Sequence, residues 1–286
     1  MRIKFFPVVF ILLSLSIFAQ KTEEERSWNR PVEPFKIAGN IYYVGASDVT
    51  SYLIATPKGH ILIDSGFIET VPQIKANVAK LGFKLEDVKI ILNSHAHFDH
   101  AGGIAELKRL TGAKFLASKQ DAPLLTNGGL GDPNYQDRFP YEGVTPDETF
   151  TGGRKVKLGG TSLKANITAG HTPGCTTWTM TTREAGAEYN VIFVCSTSAP
   201  GYDLIDNKKY PNIISDYNAT FERLKKLKVD IFLASHGGAY GLEEKIAKLK
   251  PGAPNPFVDR EGYLAYLSAS EEAFRKLLRA QQEKMK

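Results

Sequence analysis

The sequence predicts an α/β fold, because a buried strand is followed by a helix and the composition allows a core. The apolar run Val88–Leu92 has the length and composition of a buried strand. Apolar residues at helical spacing follow it over residues 101–110, as in a strand–helix unit. With 42% hydrophobic and 23% charged residues, the chain can bury an ordinary core. We therefore expect a sheet that carries functional residues at the carboxyl ends of its strands.

The remaining elements follow from periodicity. Strands are expected at residues 41–44, 51–55, 60–64, 114–117, 155–158, 162–168, 176–182, 189–194 and 231–234. Helices are expected at residues 71–81, 212–227, 242–250 and 260–286. Residues 20–30 are polar and expected to fray, and the Gly-, Pro- and Asp-rich residues 127–141 are expected to form a long functional loop. No repeat or linker divides residues 20–286, which predicts a single domain.

The first 19 residues have the layout of a secretory signal peptide. Arg2 and Lys4 precede an apolar run from residue 5 to 18, and Ala19 ends it. The alternative is a membrane anchor, but about 14 apolar residues are short for a bilayer span. Cleavage after Ala19 would lower the formal net charge from +5 to +3, since it removes Arg2 and Lys4. Neither charge is large enough to indicate a nucleic-acid partner.

The candidate metal ligands are concentrated after the strand Val88–Leu92. His95, His97, Asp99 and His100 fall within six residues, and the whole chain has only six histidines. In an extended segment His95 and His97 point to one side, whereas Asp99 and His100 follow where the chain turns. Imidazole and carboxylate together favour zinc. The alternative, a His-rich surface loop, does not explain this spacing at a strand end.

The other histidines are isolated. His171 lies in a Gly- and Pro-bounded turn, and His236 lies at the end of an apolar strand. Loops at strand ends commonly carry site residues on a rigid sheet. Because four ligands in one segment require partners, we expect His171 and His236 to complete the site. His60 falls in a predicted hairpin and is interpreted as structural.

Three ordered motifs resemble the signature of the metallo-β-lactamase fold superfamily. They are His-x-His-x-Asp-His at 95–100, Gly-His-Thr-Pro-Gly at 170–174 and Ser-His-Gly at 235–237. The resemblance implies an α/β four-layer αββα sandwich, with two mixed β-sheets packed face to face and helices outside. It also implies two Zn²⁺ ions per chain. The first ion would be bound by His95, His97 and His171. The second would be bound by Asp99, His100 and His236, with Asp99 also orienting the attacking hydroxide.

The segment after the strand at residues 189–194 distinguishes members of this superfamily. Glyoxalase II-like thioesterases, lactonases and RNase Z-like nucleases usually carry a bridging aspartate there, but no aspartate occurs before Asp203. Ser196 and Ser198 instead resemble class B β-lactamases of the third subgroup. This similarity predicts a periplasmic, monomeric zinc β-lactamase that hydrolyses penicillins, cephalosporins and carbapenems and confers antibiotic resistance. Another metal-dependent hydrolase, such as a lactonase or thioesterase, and a non-catalytic zinc-binding module are the alternatives.

The same resemblance implies roles for substrate contacts. Ser198 would bind the β-lactam carboxylate directly and Ser196 through water, while Tyr202 would donate to the developing oxyanion. The alternative is that these hydroxyls cap a strand end. Tyr135 and Phe139 could contact the substrate or anchor the long loop to the body.

The two cysteines of the chain, Cys175 and Cys195, lie beside adjacent predicted strands. In an exported protein they are expected to form a disulfide. The alternative is two buried free thiols.

Overall fold

The computed structural model describes residues 22–285 of the chain. The expected signal peptide, residues 1–19, lies outside the described residues. Among the residues that the structure describes, no helix combines the length and the apolar character that crossing a bilayer requires.

Seven strands form the N-terminal sheet, in the order in which they occur along the chain. They are β1 (Phe35–Ala38), β2 (Ile41–Tyr43), β3 (Tyr52–Thr56), β4 (Gly59–Ile63), β5 (Val88–Leu92), β6 (Lys114–Ser118) and β7 (Glu148–Phe150). Strands β1 to β4 pair in antiparallel fashion, whereas β4 to β7 pair in parallel. The carboxyl ends of β4, β5 and β6 therefore meet at one edge of a mixed sheet.

Five strands form the C-terminal sheet, in the spatial order β12-β11-β10-β9-β8. They are β8 (Lys155–Leu158), β9 (Thr161–Ile167), β10 (Thr176–Glu184), β11 (Ala187–Val194) and β12 (Ile231–Ala234). Strands β8 to β11 form an antiparallel meander, and β12 adds to β11 in parallel. Because β11 and β12 run in the same direction, the segments after both strands emerge side by side.

Eight α-helices connect or cover the strands in the described part of the chain. They are α1 (Glu23–Trp28), α2 (Val71–Lys80), α3 (Phe98–Ala101), α4 (Ile104–Thr111), α5 (Ala122–Thr126), α6 (Ile213–Lys225), α7 (Leu242–Lys248) and α8 (Arg260–Glu283). Short 3-10 turns occur at Ile68–Thr70, Leu85–Asp87 and Gly237–Tyr240.

The period-two alternation of the strands decides which side chains face which layer. In β4, Ile61 and Ile63 point into the core between the sheets, where they join Trp178 of β10. Leu62 points the opposite way and packs with Ile74 of α2. Helix α8 covers β12 on the far side, through contacts that also involve α6. The predicted four-layer αββα arrangement is confirmed.

Three sequence-based assignments differ from the structure. Residues 20–30 were expected to fray, but Glu23–Trp28 is helical because Thr22 and Glu25 cap each other's backbone N–H groups. The expected helix at 101–110 is two helices, α3 and α4, since the chain bends at Gly102 and Gly103. Three short elements were not predicted: strands β1 and β7, with four and three residues, and helix α5, with five residues.

A disulfide joins Cys175 and Cys195, with Cα atoms 5.9 Å apart. Cys175 precedes β10 and Cys195 follows β11, so the bond connects neighbouring strands at one sheet edge. It links the turn that carries His171 to the segment that carries Ser196 and Ser198.

Loss of this disulfide is expected to destabilise the protein. In the chain-entropy model, opening a loop of about 20 residues lowers the free energy of unfolding by about 3 kcal/mol. Urea unfolding of the oxidised protein and of the Cys175→Ser/Cys195→Ser variant measures the difference. Intact mass should fall by two hydrogens on oxidation of the reduced protein. Equal unfolding midpoints for the two proteins would contradict the expectation.

Candidate metal centre

Three imidazoles converge at the edge where β5 and β9 end; we call His95, His97 and His171 the three-imidazole cluster. His95 and His97 lie in the segment after β5, and His171 lies in the turn between β9 and β10. One ring nitrogen from each lies within 4.8 Å of the others. All three residues are buried, with 1 to 6% of their surface exposed. This spacing suits three ligands of a single metal ion.

A second group of ligand atoms lies next to the first; we call Asp99, His100 and His236 the carboxylate cluster. The Oδ2 atom of Asp99 lies 3.2 Å from Nε2 of His100 and 3.3 Å from Nε2 of His236. The two Nε2 atoms are themselves 3.2 Å apart. Helix α3 presents Asp99 and His100, whereas His236 follows β12. The structure thus brings all six predicted ligands together.

The hydrogen bonds of the imidazoles leave the ring nitrogens that face the site available to bind a metal ion. Nδ1 of His171 donates to the carbonyl of Ser198 at 2.8 Å, and Nδ1 of His236 contacts the carboxylate of Asp48 at 2.6 Å. In both rings this leaves Nε2 as the ligand atom. Nε2 of His95 is buried without a hydrogen-bond partner. A buried nitrogen of this kind is costly unless a cation or donor satisfies it, so the donor set fits a bound metal ion.

The pKa shifts agree with this arrangement. Burial lowers the pKa of His95 and of His171 well below the usual value, and neighbouring imidazoles lower both further. Neutral imidazole is the form that binds metals. Burial opposes ionisation of Asp99, but His100 and His236 hold its pKa well below the usual range. A cation at the carboxylate cluster would stabilise the ionised form of Asp99 in the same way.

Buried carboxylates behind the ligands fix their positions. Asp64, which directly follows β4, accepts hydrogen bonds from the backbone N–H of Ser94 at 2.6 Å and from the side chain of Asn93 at 3.0 Å. Its φ of 59° is in the left-handed region, which costs free energy for a residue with a Cβ atom. Its Oδ2 atom lies 3.7 Å from Nδ1 of His100. Asp64 therefore organises the segment that leads into the ligands.

Ser196 and Ser198 lie side by side at the entrance to the three-imidazole cluster. Their hydroxyl oxygens are 3.1 Å apart, and that of Ser198 lies 3.4 Å from Nδ1 of His171. As expected for an extended segment, both side chains face the same side. Thr197 between them is buried and bonds to Tyr266 of α8 at 2.7 Å.

Tyr202 is buried against His171. It is 1% exposed, and its hydroxyl donates to the backbone carbonyl of His171 at 3.1 Å. The two rings stack with centroids 5.7 Å apart. The structure thus directs this hydroxyl at a protein carbonyl, whereas the sequence assigned it to the substrate.

The long loop contacts the three-imidazole cluster through several residues. Tyr135 packs on His97 with ring centroids 4.7 Å apart, and Phe139 stacks on Phe98 at 4.5 Å. The carboxylate of Asp132 lies 3.2 Å from Nε2 of His97. These contacts anchor the loop to the body and leave Nδ1 of His97 for a metal ion.

A cavity of about 450 Å³ adjoins the site. Ser196, Ser198 and His236 line one side of it, and Ala273 and Leu277 of α8 line another. A cavity of this size with apolar walls and a few polar groups suits a small-molecule ligand. His60 lies away from it, where its ring packs on Phe83 at 4.9 Å.

A four-layer αββα fold with two adjacent clusters of candidate ligands, where strands of both sheets end, is typical of a metal-dependent hydrolase. Residues 44–236 match the family model of the metallo-beta-lactamase superfamily. The chain belongs to this superfamily, and the family resemblance predicted from the sequence is confirmed.

Solved structures of subclass B3 and related enzymes superimpose closely on the chain. The native FEZ-1 metallo-beta-lactamase of Legionella gormanii is 44% identical, with a TM-score of 0.87 over 89% of this chain and 98% of its own. BJP-1, a subclass B3 metallo-beta-lactamase of Bradyrhizobium japonicum, is 40% identical, with a TM-score of 0.87 over 91% and 99%. Among curated proteins, a metal-dependent hydrolase of Anaeromyxobacter dehalogenans is 26% identical over 74% of this chain and 72% of its own length.

Sequence reasoning missed the carboxylates that support the ligands. Asp48, Asp64, Asp121 and Asp132 contact ligand residues or the segments that carry them. None lies in a ligand motif. The position of Asp64 at the end of a predicted strand was the one available signal.

Replacement of Asp48 by Asn should weaken divalent-metal binding at the carboxylate cluster. Asp48 fixes the ring of His236 at 2.6 Å and also accepts the backbone N–H of Gly238 at 2.6 Å. Loss of such a partner typically lowers metal affinity about 10–100-fold. Titration of the apo-protein with zinc against a chelator measures the change. Asp137→Asn, an exposed carboxylate of the long loop, serves as control. Unchanged affinity in Asp48→Asn would contradict this role.

Proposed function

We propose that this protein is a zinc-dependent β-lactamase that hydrolyses the amide bond of the β-lactam ring. The observation that carries this proposal is the hydroxyl pair of Ser196 and Ser198 beside His171. The pair follows β11, where other hydrolases of the superfamily usually have an aspartate. It offers neutral donors to an anionic group without competing for the metal. The 44% identity to the metallo-beta-lactamase of Legionella gormanii supports the same activity.

We further propose that each cluster binds one zinc ion. Zinc would supply a Lewis acid for the lactam carbonyl and would lower the pKa of a water molecule towards about 7. The protein contributes the geometry: imidazoles from three separate segments are held by hydrogen bonds to Ser198, Asp48 and Ser94. Those of His95 and His171 are buried, and that of His236 is partly exposed. Rigid ligands of this kind reduce the reorganisation that metal binding requires.

Asp99 is the proposed catalytic carboxylate. Its Oδ2 atom faces His100 and His236. The other oxygen of the carboxylate can accept a hydrogen bond from the attacking water and so orient it. Because the pKa of Asp99 is held well below the usual range, it stays ionised at neutral pH and keeps this acceptor.

Ser198 is the proposed anchor of the β-lactam carboxylate, with Ser196 acting through water. The backbone of Ser198 is rigid, because its carbonyl accepts hydrogen bonds from Tyr217 at 2.6 Å and from His171 at 2.8 Å. Its side chain is exposed to the cavity. A hydroxyl on a fixed backbone can select the direction of a carboxylate without adding charge.

Tyr202 is reassigned in this proposal. Its buried hydroxyl already donates to the carbonyl of His171, so we infer that it positions His171 instead of donating to the substrate oxyanion. Tyr135 and Phe139 hold the long loop against His97 and Phe98. Both aromatic residues stay partly exposed, and we propose that this exposed part forms one wall of the substrate site.

The proposed setting is the periplasm of a bacterium, reached through the signal peptide at residues 1–19. Penicillins, cephalosporins and carbapenems are the proposed substrates, with antibiotic resistance as the consequence. We propose that the chain acts as a monomer. Activity in the periplasm is useful because β-lactams attack enzymes of the cell wall there.

The purified protein is expected to hydrolyse nitrocefin and to contain about two zinc ions per chain, one for each cluster. Removal of zinc with a chelator should abolish turnover, and added zinc should restore it. Parallel assays with a lactone and a thioester test the alternative hydrolases. Turnover of either compound without turnover of nitrocefin would refute the β-lactamase proposal, and full activity with one tightly bound zinc would refute the dinuclear site.

Ser198→Ala should raise KM for penicillins and carbapenems with little change in kcat. The reason is that the carboxylate contact exists equally in the ground state and the transition state. A hydrogen bond to a charged group typically contributes about 1.5–3 kcal/mol, or roughly 10–100-fold in KM. Ser268→Ala on the exposed face of α8 is the matched control. An unchanged KM in Ser198→Ala would place the carboxylate anchor elsewhere.

A further inference from the structure

Asp121 is a buried carboxylate just beyond β6, outside both ligand clusters. The residue is 1% exposed. Its Oδ2 atom accepts hydrogen bonds from the backbone N–H of Ala96 at 3.1 Å and from the hydroxyl of Thr172 at 2.7 Å. Its Oδ1 atom accepts the backbone N–H of Gly174 at 2.7 Å. Burial raises the pKa of Asp121 to about 6, while these three donors favour its ionised form.

The three donors belong to the two segments that carry the three-imidazole cluster. Ala96 lies between His95 and His97, and Thr172 directly follows His171. One carboxylate therefore holds both segments at a fixed separation from within the protein. It touches none of the ligand side chains by hydrogen bond, so it acts on their spacing through the backbone.

Close packing restricts this arrangement further. A Cβ atom on Gly174 would lie 2.0 Å from Oγ of Ser118 and 2.5 Å from the backbone nitrogen of Asp121. The same Ser118 hydroxyl accepts the N–H of Asp121 at 3.2 Å. Only glycine lets the turn approach Asp121 this closely. The contact between the turn and Asp121 therefore requires glycine at position 174.

We propose that Asp121 is a positioning residue for the zinc ion of the three-imidazole cluster. It sets the separation of His95 and His97 from His171 before zinc binds. Binding then requires less ordering of the two segments, and the affinity for zinc is higher. The inference rests on the proposed zinc site, and it is independent of which substrate the enzyme hydrolyses.

The test is the zinc affinity of Asp121→Asn, measured by titrating the apo-protein with zinc against a chromophoric chelator. Asn keeps the size of the side chain but replaces one acceptor oxygen by an NH₂ group. Because both oxygens of Asp121 accept hydrogen bonds, this NH₂ group would face a donor and at least one hydrogen bond would be lost. Since outer partners of metal ligands typically contribute about 10–100-fold in affinity, one of the two zinc ions should bind 10–100-fold more weakly. The other zinc ion should keep its affinity.

Cadmium-113 NMR of protein loaded with cadmium alone identifies the affected ion. The resonance that His171→Ala removes should shift or broaden in Asp121→Asn. The resonance that His236→Ala removes should stay unchanged. If Asp121 only stabilised the fold, Asp121→Asn would affect both cadmium resonances alike.

Asp147→Asn is the matched control for loss of a structural carboxylate. Asp147 accepts the backbone N–H of Phe115 at 2.8 Å, at the start of the same strand β6. Thermal unfolding of the apo-proteins compares the two variants. Weakened zinc binding in Asp121→Asn alone supports the proposal. The proposal is overturned if Asp121→Asn and Asp147→Asn bind zinc with equal affinity. It is also overturned if Asp121→Asn lowers the affinity for both zinc ions equally.

Substitution of Thr172 provides a second test if Asp121→Asn does not fold. Thr172→Val removes one of the three donors and should weaken the same zinc ion several-fold, whereas Thr172→Ser should retain wild-type affinity. Wild-type affinity in Thr172→Val overturns the proposal in that case. A wild-type protein that binds two zinc ions but does not turn over nitrocefin would refute the proposed function and leave the role of Asp121 intact.

Discussion

The structure depends on one constraint, which is that buried ligand atoms must face each other across a small space. In the carboxylate cluster, two imidazole nitrogens and a carboxylate oxygen lie within 3.3 Å of one another. Burying such polar groups is unfavourable unless charge and hydrogen bonding compensate. The fold meets this demand by placing these side chains after strand ends, at the start of α3 and in the turn between β9 and β10. A cation bound between these atoms would accept electron pairs from all of them and so compensate for their close approach.

Behind the ligands, carboxylates do most of the positioning. Asp64 holds the start of the segment that leads to His95, and Asp48 holds the ring of His236. Asp121 fixes two backbone segments, and Asp132 approaches His97 from the long loop. Asp64, Asp121 and Asp132 are buried and Asp48 is partly exposed, and each accepts at least two hydrogen bonds or close imidazole contacts. Negatively charged side chains therefore surround the six candidate ligands as well as contributing one of them.

Much of the fold could be predicted from the sequence, because strand length, alternation and helical spacing are local signals. The four candidate ligands from His95 to His100 could be recognised for the same reason, since their spacing lies within one motif. The supporting carboxylates were not. Asp48 is separated from His236 by 188 residues, and Asp121 from Thr172 by 51. The periodicity of apolar residues is a local signal and cannot predict contacts between residues so far apart in sequence. Tyr202 is a different case, because the sequence suggested a substrate contact for a hydroxyl that donates to the carbonyl of His171 in the structure.

The separation of the site's parts along the chain has a consequence for assembly. The segments that meet at the centre come from both sheets and range from Asp48 to Gly238. Contacts this far apart in sequence form late, because the entropy of closing long loops must be overcome first. A nascent or half-folded chain can present His95 and His97 but lacks His171 and His236 in place. The metal should therefore bind after the two sheets have packed together, and its binding would stabilise the fully folded state.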